Sequence, residues 1–542
     1  VGKHGAVKRR TVVIGLGTAA GAAAAGGFAL NARATDSAPA GSSTAPDTLT
    51  FDKDAFTELT ATISTDDGDK KVKYHFYKAI TYVAAPVDEK YQSLNVSVPV
   101  EIDGEPVDAT RAPILMANSV GGYMPSSVAD ATGVGGAAMT GAPGGTGGAS
   151  PSASASASAG AGEVESGGNA QLDGRGQMVS NAKLALAAGY VVVEPGARGR
   201  TLVDSDGTYY GVAPAAIVDL KAAVRYVRFN KGRIPGDTDR IVTSGTSAGG
   251  ALSALLGASG DSPLYDAHLK EIGAADASDA IFASGDWCPI ADLEHADMAY
   301  EWNWGANKLS SGALADQTVS KELKSAFADY QASLKLRAEG FGTLTARNLD
   351  EYLLKTYLEP AATRYLGALS ESERSAYLTS NPFITWSAGK ATFTWADFLT
   401  HVGARKKGIP AFDAFDLSSG ENNLFGKGAT KARHFTLYSL RHESGGSARL
   451  DSDIPEKLKL MNPTHFIAER NKGMARHWWI RVGTKDSDTS LTVVGNLAAS
   501  LKALGADVNA AMYWDKGHGA NDDAADFIEW IAQVTGYRNR KK

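Results

Sequence analysis

Gly245-Thr246-Ser247-Ala248-Gly249 is the one Gly-x-Ser-x-Gly sequence in the chain. Small residues on both sides of a serine suit a sharp turn that exposes its hydroxyl for attack on an acyl carbon. With sixty glycines in 542 residues, such a pattern also arises easily by chance. A serine hydroxyl is a poor nucleophile until a base takes its proton. A histidine, and an acid to orient it, must therefore be found elsewhere. Among ten histidines, His518 lies in Asp515-Lys516-Gly517-His518-Gly519, where flanking glycines leave an imidazole room to move. Gly483-Thr484-Lys485-Asp486-Ser487-Asp488 offers two acids, Asp486 and Asp488, and position alone does not choose between them. A tetrahedral oxyanion needs two backbone N–H donors. Ala248, next to the serine, supplies one. Gly121, in Asn118-Ser119-Val120-Gly121-Gly122-Tyr123, supplies the other, with Gly122 the alternative.

Periodicity shows which elements must hold these groups. Val72–Tyr77 and Ser93–Val100 alternate with a period of two and read as strands. Pro113–Ala117 is a short apolar run that fits a buried parallel strand. A helix–strand rhythm then begins, with helices over Met178–Ala188, Pro214–Phe229 and Gly249–Leu256. Strands over Tyr190–Glu194, Arg240–Thr243 and Ala280–Ser284 alternate with them. The rhythm resumes late in the chain with a strand over Trp478–Val482 and a helix over Val493–Leu504. A strand over Val508–Trp514 and a helix over Ala524–Thr535 complete it. This predicts a mostly parallel sheet with helices on both faces. Ser247 falls between a strand and a helix, where a nucleophile elbow belongs. The expected architecture is the α/β-hydrolase fold, in which acid and then histidine follow the serine along the chain. Only His518 follows the last predicted strand. The core occupies residues 50–300 and 461–542, interrupted by a large, mainly helical inserted lid domain over 301–460.

Bulk properties remove other classes. Net charge is -6, and no long basic stretch follows the first ten residues, so no nucleic-acid partner is expected. A single cysteine, Cys288, excludes an intramolecular disulfide and a cysteine-rich metal site. It reads as a small buried hydrophobe. Lys8-Arg9-Arg10-Thr11, an Ala/Gly-rich apolar run to Leu30, and Ala32-Arg33-Ala34 make residues 1–34 a signal peptide. The paired arginines make it twin-arginine (Tat) type. A secreted protein, free of the membrane after cleavage, is the expectation. Residues 35–49 read as a linker, and 129–176, with its Ser-Ala repeats, as a disordered insertion.

Six stretches carry a family resemblance: Asn118–Pro125, Gly196–Thr201, Gly245–Ala258, Glu271–Trp302, Pro410–Phe425 and Gly483–Gly519. On these the chain resembles the bacterial tannases (tannin acyl hydrolases, subtype B-like). The run from Glu271 through Trp287-Cys288-Pro289 to Asp297 is more specific than the serine motif. The resemblance implies a triad of Ser247, Asp486 and His518, which selects between the two acids. It implies substrate binding by Asp488, by Glu421 and by Lys407, with Lys406 adjacent. A galloyl group carries three vicinal phenolic hydroxyls; carboxylates accept their protons and an ammonium donates to a phenolic oxygen. The implied activity is hydrolysis of a small phenolic ester through an acyl-enzyme, releasing gallate, with no metal or cofactor. A relaxed feruloyl or aryl esterase, a peptidase, and a non-catalytic binding protein on the same scaffold are the alternatives.

Overall fold

In the computed structural model, which describes residues 48–139, 170–172 and 178–537, burial pattern separates two kinds of strand. β1 (Thr57–Thr65), β2 (Gly68–Thr81) and β3 (Ser93–Ile102) pair antiparallel. In β2, Val72, Tyr74 and Phe76 are buried while Lys73 and His75 between them are only half-buried. That is the period of a sheet covered more heavily on one face. β4 (Pro113–Ala117) and β5 (Val191–Pro195) are buried at every residue. Strands covered by helices on both faces read this way. β6 (Asp237–Thr246), β7 (Ala283–Trp287), β8 (His477–Gly483) and β9 (Asp507–Tyr513) complete the sheet.

The strand order is β1-β2-β3-β5-β4-β6-β7-β8-β9, with a two-residue strand, Glu105–Pro106, beside β3. β5 meets β3 antiparallel, and every pair from β5 onward is parallel. α1 (Asn181–Ala187) lies on one face of the sheet. α2 (Ala215–Phe229) and α3 (Ala248–Ala258) pack together on the other. Between β7 and β8 the chain leaves the sheet for a mainly helical excursion. It includes α4 (Leu293–Trp304), α5 (Gln317–Ser333), α6 (Trp395–Val402) and α7 (Gly420–Leu424). α8 (Leu491–Ala503) covers β8 and β9, and α9 (Ala524–Thr535) joins α1. This is the α/β-hydrolase fold. The apolar core runs without a break from the sheet into the excursion, through Leu353, Leu358 and Phe398.

Several expectations shift. β7 starts and ends three residues later than Ala280–Ser284. Its second half, Gly285-Asp286-Trp287, contains two residues that strands disfavour. Gly285 is needed there because the Phe527 ring lies 2.9 Å from where a Cβ would stand. β1 escaped the sequence reading because Ile63 is its one buried residue. The segment 129–139, expected to be disordered, is placed against the core. Ala131 and Val134 are buried, and Gly135 N–H donates to Glu194 Oε2 at 3.0 Å. The signal peptide, the linker to residue 47, and residues 140–169 and 173–177 lie outside the described residues. Among the described residues no helix is long and apolar enough to cross a membrane.

Asp286 is the costly residue of this core. It is fully buried, Ser284 Oγ donates to its Oδ1 at 2.6 Å, and its Oδ2 has no partner among the described residues. Burial pushes its pKa well above the ordinary carboxylate value. The folded chain therefore holds the proton that the unfolded chain releases near pH 4. Stability falls by about 1.4 kcal/mol per pH unit above that point, until the folded pKa is reached. Asp286→Asn should match the parent in Tm below pH 4 and exceed it increasingly towards pH 8. A constant Tm difference across that range would refute the assignment.

Candidate active site

Ser247 connects β6 to α3 with φ 60° and ψ −121°. A left-handed φ is strained for a residue with a Cβ and persists only where the surroundings enforce it. A Cβ on Gly245 would lie 2.2 Å from the Gly249 oxygen, and one on Gly249 would lie 2.6 Å from the Val120 oxygen. Both glycines of the motif are thus obligatory. Buried Asn118 locks the turn from below. Its Nδ2 lies 3.2 Å from the Ser244 carbonyl, 3.1 Å from that of Gly249 and 3.1 Å from Ser253 Oγ. From β7, the Trp287 carbonyl accepts from Ser247 N–H at 3.0 Å, and Ile290 N–H donates to the Ser247 carbonyl at 3.2 Å. Ser247 itself is only half-buried, at the positive end of an eleven-residue helix.

The proposed oxyanion loop is built against this turn. Gly122 and Tyr123 have φ of 53° and 54°, and Met124 N–H closes the turn on the Gly121 carbonyl at 2.8 Å. Tyr123 Oη donates to the Ile290 carbonyl at 2.8 Å. Burial and then the Glu421 charge raise the Tyr123 pKa, which puts Glu421 close to this loop. Arg200 joins the two: its Nε donates to the Gly122 carbonyl at 2.7 Å and its Nη1 to Asn423 Oδ1 at 3.0 Å. Asn423 is two residues beyond Glu421 on α7.

The loops after β8 and β9 separate the two aspartates. Asp486 is fully buried, and its Oδ2 lies 2.8 Å from His518 Nδ1. Its Oδ1 accepts from Asp488 N–H at 2.9 Å. Asp488 turns away, and its Oδ2 pairs with Lys406 Nζ at 3.0 Å. Burial opposes charge on the His518 ring, but the Asp486 carboxylate and the neighbouring Cys288 sulfur together raise its pKa well above the usual histidine value. Among the described hydrogen bonds none joins His518 Nε2 to Ser247. That nitrogen instead faces Cys288 Sγ at 4.0 Å. Catalytic hydrogen bonds are often long without substrate and tighten in the complex. The His518 loop is pinned one turn earlier, where Asp515 gathers His401 Nε2 at 2.5 Å, Lys485 Nζ at 3.1 Å and the Tyr377 hydroxyl.

α4 holds the remaining parts. Tyr300 Oη donates to the Ser487 carbonyl at 2.7 Å, and Trp304 Nε1 donates to that of Thr489 at 2.7 Å. Glu301 forms a fully buried, two-pronged ion pair with Arg405. Arg405 in turn donates to the carbonyls of Lys407 (2.9 Å) and Gly408 (2.7 Å). Asp297 accepts from Phe412 N–H at 2.6 Å and Asp413 N–H at 3.1 Å. The sequence reading named Lys407 for substrate, with Lys406 adjacent. The structure puts Lys406 on Asp488, while Lys407 Nζ rests 4.0 Å above the Phe412 ring. Asn118, Arg200, Cys288, Arg405 and the α4 polar groups were missed as site residues. Asn118, Arg200, Cys288, Asp297, Tyr300 and Glu301 fall in the stretches that carry the resemblance; Trp304 and Arg405 lie outside them and gave no signal.

Three comparisons bear on this geometry. The BD-FAE family model matches residues 167–329. Esterase LipC of Mycobacterium tuberculosis is 40% identical over 76 residues, a match spanning 19% of its length. Fusobacterium nucleatum tannase shares 34% identity, with a TM-score of 0.72, over 90% of this chain and 99% of that one. Tannin acyl hydrolase from Lactobacillus plantarum shares 33% identity, with a TM-score of 0.73, over the same fractions. A tannin acyl hydrolase in complex with ethyl gallate matches at 34% identity and 0.72, again over 90% and 99%. Fold, elbow and kinship together define a carboxylic ester hydrolase of the α/β-hydrolase class. Within that class, the chain belongs to the tannase (tannin acyl hydrolase) family.

The Arg200 bridge can be tested directly. Arg200→Lys keeps the charge but loses the fork that reaches both Gly122 and Asn423. Small displacements at a reacting centre cost up to about a hundredfold in rate. A fall in kcat of about tenfold or more, with little change in Tm, is expected from steady-state kinetics and a melting curve. Unchanged kcat would show that the bridge positions nothing.

Proposed function

We propose that the protein is an exported esterase that cleaves galloyl esters and releases gallate. The observation that carries this reading is the Asp486–Ser487–Asp488 loop. One carboxylate orients a histidine, and the other, two residues on, meets a lysine. Catalytic and binding charges are thereby fixed in one backbone unit. A relative solved with ethyl gallate supports the acyl group. Export rests on the Tat-type signal in the sequence, and the inserted residues 301–460 serve as the lid that completes the binding site.

In this mechanism His518 takes the Ser247 proton as the oxygen attacks the ester carbonyl. Asp486, on Nδ1, fixes the tautomer and stabilises the imidazolium. The Ala248 and Gly121 N–H groups hold the oxyanion, each such donor typically contributing about 2.7–4 kcal/mol. His518 then protonates the leaving alcohol. Water, deprotonated by the same ring, releases the acid. Asp488 and Glu421 accept from the ring hydroxyls, and Lys406 donates to a phenolic oxygen. Lys407 takes this role only if it leaves Phe412.

Ser247→Ala should lower kcat/KM by about 10⁴-fold or more, since the triad acts as a unit. Hydrolysis that persists undiminished would refute the nucleophile. Methyl gallate should be cleaved far faster than methyl ferulate; equal rates would leave an esterase but remove gallate as its acyl group. Lys406→Ala should reduce kcat/KM on methyl gallate more than Lys407→Ala does. The reverse order would restore Lys407 as the binding lysine.

A further inference from the structure

We propose that Cys288 and His518 together form an inhibitory binding site for a soft divalent cation, of which Cd²⁺ is the probe. Cys288 has no part in the mechanism above, yet its Sγ faces the Nε2 of His518 at 4.0 Å. A zinc-like ion bonds thiolate sulfur at about 2.3 Å and imidazole nitrogen at about 2.0–2.1 Å. One ion bound to both atoms thus holds them at most about 4.4 Å apart, and closer when the angle at the metal is bent. The observed separation accepts an ion with little movement of either side chain.

Two further features fit a metal. Asp486 engages Nδ1, which leaves Nε2 as the ligating nitrogen and gives the carboxylate–histidine–metal arrangement. Ligand atoms of Cys288, Asp486 and His518 all lie within 4.8 Å of one another. The sulfur is also fixed in place. Cys288 has φ 37°, and its N–H donates to the Arg481 carbonyl at 2.7 Å. Cys288 is buried, whereas the His518 side chain is 24% exposed, so an ion enters from the exposed side of the imidazole and keeps water there. Thiolate with imidazole selects Zn²⁺ or Cd²⁺ over Mg²⁺ or Ca²⁺. On binding, the thiol proton and the proton held on the imidazolium Nε2 both pass to solvent, and the metal–sulfur and metal–nitrogen bonds replace the S–H and N–H bonds. Nε2 donates its lone pair to the ion. That lone pair is the one needed for the Ser247 proton, so hydrolysis stops. The inhibitory consequence rests on His518 being the base; the binding does not.

The test titrates CdCl₂ into the full chain, its Cys288→Ala variant and its His518→Ala variant, with MgCl₂ as control. Cadmium–thiolate charge-transfer absorbance reports the single sulfur directly. The parent should show a band saturating at one ion per chain, absent with Mg²⁺ and absent in Cys288→Ala. In His518→Ala the affinity read from that band should drop at least roughly tenfold, as loss of a ligand requires. Ester hydrolysis, scaled to each variant's own metal-free rate, should be inhibited at about tenfold or more lower Cd²⁺ in the parent than in Cys288→Ala, and EDTA should restore it. No band in the parent overturns the site, and so does equal affinity in parent and His518→Ala. Equal inhibition of parent and Cys288→Ala overturns the inhibitory role. A band with the expected losses in a chain that hydrolyses no ester would instead sustain the site and refute the catalytic reading.

Discussion

The site depends first on a steric constraint at one turn. Ser247 is held at a left-handed φ in the turn from β6 to α3, where the flanking glycines pack backbone on backbone. Gly245, Gly249 and Gly250 each bring backbone against backbone at distances a Cβ would forbid. Strain of this kind is of order 1–3 kcal/mol and must be held by the surroundings. Here the holding groups are Asn118 below and the Trp287 carbonyl beside the turn. Both sit at the carboxyl ends of neighbouring parallel strands. The parallel order β4-β6-β7-β8-β9 also delivers the acid and histidine loops to that same edge. Sheet topology and active-site assembly are therefore one problem, solved by the same packing.

The second constraint is electrostatic and lies in α4. This helix commits Asp297 and Glu301 to the interior, where carboxylates are rarely tolerated unpaired. Glu301 is matched by Arg405. Asp297 is met by two backbone N–H groups, and burial, followed by neighbouring Asp413, raises its pKa to about 7. Asp413 is itself satisfied by His434, Asn422 and the Phe435 and Thr436 N–H groups. The result is a chain of buried polar contacts from the core helix to the segment bearing Glu421. Such contacts add little net stability, but breaking one partner is expensive. Their effect is to fix the register between the acid loop and the charges that accompany it.

Most of the sheet was legible because parallel strands write themselves as short apolar runs. β4 and α9 coincide with their predicted limits, since Pro113–Ala117 is uniformly buried and Ala524–Thr535 is strongly amphipathic. Chain order pointed to the His518 loop but left Asp486 and Asp488 open, and the structure puts Asp486 on His518. What stayed hidden depends on side-chain direction. Nothing in the spacing says that Asn118 points under the elbow, or that Arg405 is buried while the lysines after it are not. Cys288 was read correctly as buried. That its sulfur faces His518 follows only from the turn after β7, which no periodicity encodes.

The adjacent lysines show how such a direction is decided. Arg405, Lys406 and Lys407 are three consecutive cations, and sequence offers no reason to separate them. Arg405 goes inward because Glu301 awaits it with two oxygens and Tyr300 presents its ring at 4.9 Å. Its fork then grips the carbonyls of Lys407 and Gly408, which fixes the backbone of the turn. Tyr300 Oη adds a third restraint by accepting from Lys407 N–H at 3.2 Å. With the backbone held, the two lysine stems leave in different directions. Lys407 covers Phe412, a contact that favours an ammonium over an aromatic face. Lys406 is left to reach Asp488. The same Tyr300 hydroxyl donates to the Ser487 carbonyl, so the lysine and the aspartate are positioned from one atom. The spacing of this ion pair is therefore a property of α4, a helix that sets the distance between two charges while contributing neither of them.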